Sequence, residues 1–173
     1  MLSQNKIIQL IILFLLMLLQ VVIFNNINYL GFANPFIYVL FILLLPLDTN
    51  RYLILTYAFI LGIGIDIFEM SGGINAFATV FIAFIRPFIV NVINMGNNEE
   101  AENVKLFRFN FIQWFIYLAT LIFSHHFIVL ILEKFSFDNI SHTLRQSAIG
   151  ALITLIVIGI YIILFPPKRS HEF

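Results

Sequence analysis

Between Lys6 and Asn25 the chain runs for 18 residues, 7–24, without one charged side chain; Gln9 and Gln20 are its only polar groups. A helix needs about 20 such residues to cross the hydrocarbon core of a bilayer. Comparable stretches recur at 29–47, 52–68, 74–95, 109–132 and 147–165, so the sequence predicts six spans in a single transmembrane domain, 1–173. The runs are continuously apolar, whereas barrel strands alternate residue by residue. A helical bundle is then the way left to satisfy the backbone in lipid. The first run follows Lys6 as in a signal peptide, but it exceeds the roughly 7–15 residues of a cleaved segment and no small-residue cleavage site follows it. A permanent first span is expected. The second run is the least regular. Asn34-Pro35 interrupts it, so full helix is expected only from Phe36, and Pro46 followed by Asp48-Thr49-Asn50 supplies a stop and a tight turn.

Composition closes off the alternatives. The chain is 61% hydrophobic and 10% charged, against about 25% charged in ordinary soluble domains. A soluble enzyme, a secreted disulfide scaffold and a disordered tail are excluded. Nine basic residues balance nine acidic ones, so net charge gives no support to a nucleic-acid partner. The absence of cysteine removes disulfides, thiolate metal sites and a cysteine nucleophile. Orientation follows from the distribution of Lys and Arg. With six spans, Lys6, Arg51, Arg86, Lys105, Arg108, Lys168 and Arg169 share the side of the termini, and only Lys134 and Arg145 lie on the other. Both termini are therefore expected in the cytoplasm.

The extramembrane segments are short. Residues 96–108 turn from acidic to basic, as a solvated loop or a small docking surface would. Residues 133–146 interleave Phe135, Phe137, Ile140 and Leu144 with polar residues, a pattern expected of a segment lying along the membrane surface. The tail Pro166-Pro167-Lys168-Arg169 should stop and anchor the last helix. The two halves do not align as inverted repeats.

Ionisable residues within spans are costly, and each raises a functional question. Asp66 follows Ala58 and Gly62 at four-residue spacing. Those small residues allow a neighbouring helix to approach closely, so Asp66 is expected to face protein. Three roles are open to it: capping backbone groups at a helix end, contacting a partner, or relaying protons. Arg86-Pro87 lies within the fourth span, where proline should kink the helix. In a hairpin turning at Ser71-Gly72, Asp66 is level with about residue 77, roughly 13 Å of helix from Arg86, so a direct pair is not expected. Arg86 then snorkels toward the cytoplasmic surface, meets another helix, or lines a polar cleft made by the kink. His125-His126 project about 100° apart, unlike the i, i+4 pairs of zinc sites, and interhelical hydrogen bonding is the expected role. Gln9 and Gln20, 11 residues apart, share one face of the first helix. That helix has neither Gly nor Ala, whereas the sixth carries Ser147, Ala148, Gly150, Ala151, Thr154 and Gly159. Close packing is expected among the third, fourth and sixth helices, with the first peripheral. Searches for a nucleophile elbow, a phosphate loop, a dinucleotide fingerprint or paired intramembrane aspartates return nothing, so neither an enzyme nor a cofactor is expected.

Taken together, the landmarks form a recognisable order. The motif around Leu19-Gln20 to Asn25 is followed by Pro35-Phe36-Ile37-Tyr38 and Leu45-Pro46-Leu47. Then come Gly62-Ile63-Gly64-Ile65-Asp66, Gly72-Gly73-Ile74-Asn75-Ala76 and Ala83-Phe84-Ile85-Arg86-Pro87. This order resembles the rod shape-determining MreD family in its Bacteroidetes-type form, most densely from Leu19 to Pro87. The resemblance implies a non-enzymatic, multi-pass component of the bacterial inner membrane. Its partners would be membrane lipids and the bitopic scaffold MreC, and through MreC the MreB filaments and the peptidoglycan synthases of lateral wall growth. It also implies a six-helix fold similar to the substrate-binding components of energy-coupling-factor vitamin transporters. Two rivals follow: a vitamin-transporter component, which usually docks through small residues that the first helix here lacks, and a small proton-linked permease using Asp66 and Arg86. Gly62, Asp66, Arg86, Pro87, Asn25 and Pro46 form the candidate partner- or pocket-shaping set.

Overall fold

The computed structural model describes residues 5–26, 34–94, 109–135 and 139–164. They form helices α1 (Lys6–Val22), α2 (Leu40–Leu44), α3 (Arg51–Glu69), α4 (Ile74–Asn94), α5 (Phe111–Lys134) and α6 (Ile140–Leu164), with short 3-10 turns at Phe24–Asn26 and Ile37–Val39. The described residues contain no strand. All but α2 are long and apolar enough to cross a membrane, as an all-α integral membrane protein requires.

The second apolar run departs from expectation. It is a segment broken more than the helix expected from Phe36 to Pro46: Phe36 is non-helical (φ −93°, ψ 79°), a 3-10 turn follows, and α2 lasts five residues before Leu45 swings out to ψ 143°. Proline accounts for both breaks, because it disfavours the helical conformation of the residue before it; Pro35 acts on Asn34, and Pro46 on Leu45. Residues 36–45 are nonetheless all buried, most below 6% exposed. Their apolar character serves a protein interior and not a lipid-facing surface.

The sixth helix begins at Ile140, seven residues before the expected 147, so residues 140–146 are its first turns. Glu133 and Lys134 end α5. The surface-lying segment expected there is thus mostly regular helix. The loop at 96–108 and the tail from 166 lie outside the described residues, so the orientation continues to rest on the charge count.

Helices α3, α4, α5 and α6 pack in chain order, each against the next, and α1 lies against α3 and the Ile37–Val39 turn. Lys6 and Gln9 share a cavity of about 270 Å³ with Pro46, Asn50 and Leu53. The starts of α1 and α3 are therefore at one end, and the broken segment runs back between them. As expected, α1 is peripheral: it buries only Gln9, Leu13 and Gln20, one stripe of its surface. The expected packing of α6 on α3 and α4 is corrected. Its small residues instead admit α5 and the broken segment: Gly150 faces the His126 ring, and Thr154 meets Phe36.

Candidate functional site

Asp66 lies in the last turn of α3, which ends in a left-handed Met70 and turns through Ser71, Gly72 and Gly73, the glycines at φ +67° and +98°. Its carboxylate reaches across to the start of α4. Oδ1 accepts from the Asn75 N–H at 2.9 Å and the Ser71 hydroxyl at 2.5 Å, and Oδ2 accepts from the Ala76 N–H at 2.8 Å. The first N–H groups of a helix lack internal partners and carry partial positive charge. Of the three roles open to Asp66, its geometry is that of a cap. Gly62, one turn earlier, makes the reach possible: a Cβ there would stand 2.4 Å from Ala76 Cα.

Asn75 extends this contact inward. Its Nδ2 donates to Glu69 Oε2 at 2.6 Å and Ser71 Oγ at 3.1 Å. Its Oδ1 lies 2.9 Å from the Tyr38 hydroxyl, which is also 2.9 Å from His125 Nε2. Tyr38 has one proton, and an amide oxygen can only accept. Tyr38 therefore donates to Asn75 and accepts from His125, which fixes the proton on Nε2. Thr79, whose hydroxyl donates to the Asn75 carbonyl at 2.7 Å, stands 3.5 Å from the same nitrogen. His125 Nδ1 is left buried and without a hydrogen-bond partner. His126 turns the other way, to Thr154 Oγ at 2.9 Å. The Phe36 ring lies against both imidazoles, at 5.1 and 4.7 Å between centroids.

The remaining polar groups serve the broken segment. Gln20 acts as a substitute peptide unit: Oε1 accepts from the N–H groups of Ile37 (2.8 Å) and Tyr38 (3.4 Å), and Nε2 donates to the Pro35 carbonyl (3.1 Å) and Asn25 Oδ1 (2.8 Å). Thr154 Oγ accepts the Phe36 N–H at 3.1 Å. At the far end Tyr117 donates to the Leu43 carbonyl at 2.9 Å. Arg86, 1% exposed, donates from Nε to the Tyr117 oxygen at 2.8 Å and from its other arm to the Leu45 carbonyl. A guanidinium at the C-terminal end of α2 meets an orphan carbonyl, that of Leu45, and the negative end of the helix dipole. Side chains from α1, α4, α5 and α6 thus supply the hydrogen bonds that a continuous helix would have made for itself. Within a membrane this supply is obligatory.

The candidate residues do not converge on one groove. Gly62 and Asp66 join α3 to α4, with Asn25 close by: it bonds Gln20 and neighbours the Glu69 carboxylate. Arg86 lies at the other end of the broken segment, next to Pro46, and contacts α2 and α5. Pro87 is exposed on the outside of α4, which continues past it to Asn94. Sequence reasoning missed Tyr38, Tyr117, Asn75 and Thr154. Hydroxyl and amide groups inside apolar runs were the available signal, since each needs a buried partner. Among the described residues no cluster of three or more acidic or histidine side chains could hold a metal ion. An apolar furrow of about 450 Å³ lies between α5 and α6, lined by Phe115, Phe123, Ala148 and Leu152 among others. A polar cavity of about 200 Å³ opens beside His126. Comparison with protein-family models, curated proteins and solved structures returns no match for this chain.

Proposed function

We propose that the chain is a non-enzymatic, multi-pass component of the bacterial inner membrane that binds a bitopic scaffold of the MreC type within the cell-elongation complex. The order of landmarks from Leu19 to Pro87 supports this reading. One structural observation carries it: Gln20, Asp66, Asn75 and Arg86, all within those landmarks, are turned inward and hydrogen-bonded around the broken segment. A permease would need such groups along a path that opens and closes. Here they fix a single arrangement, as suits a rigid membrane platform offering its outer helix faces to a partner. Asp66 and Arg86 then influence binding through the shape of the bundle. Against the transporter reading stands α1, whose outer face carries Ile7, Leu10, Ile11, Phe14 and Leu15 and no small residue for a coupling subunit to approach.

The test is affinity capture of the tagged chain from gently solubilised native membranes, with mass spectrometry of what is retained. Recovery of a bitopic periplasmic scaffold with wall synthases is the expected result. Paired ATPases with a coupling subunit would replace this reading with nutrient uptake.

A further inference from the structure

The polar cavity beside His126 lies where the end of α5, the second and third turns of α6 and the start of the broken segment meet. His126, Phe36 and Gly150 form its buried floor, and Asn34, Glu133 and Gln146 its rim. Gly150 lets the His126 ring sit against α6, because a Cβ there would stand 2.7 Å from His126 Nδ1. Its volume of about 200 Å³ is that of roughly seven waters in the liquid, enough for a small polar headgroup.

The lining narrows the chemistry of an occupant. Asn34 Oδ1 is buried and has no hydrogen-bond partner. Glu133 adds a carboxylate, and Phe36 an aromatic ring of the kind that attracts cations. The orphan accepting oxygen and the carboxylate favour, beside them, a cation with N–H groups to donate. Lys134, beside Glu133, adds a second condition. Its ammonium donates to Thr143 Oγ at 3.0 Å and Gln146 Oε1 at 2.6 Å, which leaves one of three N–H groups over. Glu133 on the rim and Lys134, bonded to the rim residue Gln146, thus place one negative and one positive group at this end of the cavity. Both belong to the last turn of a helix long and apolar enough to cross a membrane, the end at which such a helix meets headgroups. We infer that this cavity receives the headgroup of a phosphatidylethanolamine lipid, its primary ammonium among Glu133, Asn34 and Phe36 and its phosphate toward Lys134. This inference is independent of the partner reading above.

The experiment uses the full chain, purified in detergent and exposed to equimolar phosphatidylethanolamine, phosphatidylcholine and phosphatidylglycerol, with retained lipid read by native mass spectrometry. Phosphatidylethanolamine should be retained over phosphatidylcholine, whose quaternary nitrogen has no N–H to donate. Glu133→Gln, at an exposed rim position, should lower that retention roughly tenfold, the effect of one charge-assisted hydrogen bond, and Asn34→Leu should lower it as well. Co-elution of both variants with the parent chain on gel filtration establishes that they fold. Equal retention of the choline lipid, preference for the glycerol lipid, or an unchanged profile in folded Glu133→Gln would overturn the inference. Displacement of the lipid by millimolar glycerophosphoethanolamine would also overturn it, because the site would then be one for soluble amines.

Discussion

Replacing Gly62 with alanine adds one methyl group, yet the geometry makes it among the most damaging small changes available. The new Cβ would meet Ala76 Cα at 2.4 Å, Ala76 N at 2.7 Å and the Asn75 carbonyl oxygen at 2.8 Å. All three are backbone atoms, so no side chain can swing aside. Ordinary contact begins at 3.4 Å, and α3 and α4 must part by about 1 Å. The Asn75 and Ala76 N–H groups, now 2.9 and 2.8 Å from the Asp66 carboxylate, would be carried beyond the roughly 3.2 Å limit of a good hydrogen bond. Overpacking of this kind costs about 1–3 kcal/mol. Hydrogen bonds to a charged group contribute about 1.5–3 kcal/mol each; allowing for partial relaxation, the sum is near 3–5 kcal/mol. Gly159→Ala is the control: nothing lies within 4 Å of its Cβ position, and helix propensity alone should stabilise by up to about 1 kcal/mol. The chain's single tryptophan, Trp114, packs edge-on against Tyr117 at 5.9 Å and reports on the fold. Its fluorescence during detergent-titrated unfolding should show Gly62→Ala unfolding well before the parent. If Gly62→Ala tracked Gly159→Ala, the close approach of α3 and α4 would be refuted.

Other perturbations probe the broken segment. Arg86→Met leaves the Leu45 carbonyl buried without its donor and should cost about 2–4 kcal/mol in the same assay. Tyr117→Phe should cost about 1–2 kcal/mol, and the double variant less than the sum, since both act on one network. Tyr38→Phe removes the acceptor for His125 Nε2 and the donor to Asn75 Oδ1 and should lower stability by about 1–3 kcal/mol; stability equal to the parent would contradict these two hydrogen bonds. Asp66→Ala should reduce membrane abundance and scaffold capture in parallel, because the carboxylate caps α4. Loss of capture at full abundance would instead make Asp66 a direct partner contact.

Much of the architecture was legible in the sequence because lipid imposes so few solutions. Five of the six apolar runs became membrane-length helices, and the placement of Gln9 and Gln20 on one face of α1 followed from helical periodicity; that this face is the buried one came from the structure. For His125 and His126 the angle between adjacent residues argued against a shared metal ion and left interhelical hydrogen bonding as the expectation, which the contacts to Thr79 and Thr154 match. The second run misled because hydropathy measures only preference for a non-aqueous setting, and a protein interior satisfies that preference as well as lipid does. Its two prolines marked the breaks. What they could not reveal was which distant side chains would serve the freed backbone groups, since Thr154 lies 118 residues from Phe36 and Tyr117 lies 74 from Leu43. The packing of α6 was misjudged for a related reason. Small residues announce a close approach without naming the partner, and Gly150 and Thr154 proved to accommodate His126 and Phe36.

The broken segment also changes how the intramembrane charges are understood. An aspartate and an arginine within apolar spans ordinarily suggest a pathway for ions or protons. Here each charged group meets a helix end, the carboxylate on the N–H groups at the start of α4 and the guanidinium on the Leu45 carbonyl just beyond α2, so each is matched to a backbone partial charge of opposite sign. Neither needs the other, and the polar groups are placed to hold a discontinuity in the bundle rather than to line a route through it. An element fixed from four sides in this way resists local rearrangement, and that rigidity is what the proposed platform role would use and what an alternating-access transporter would have to give up.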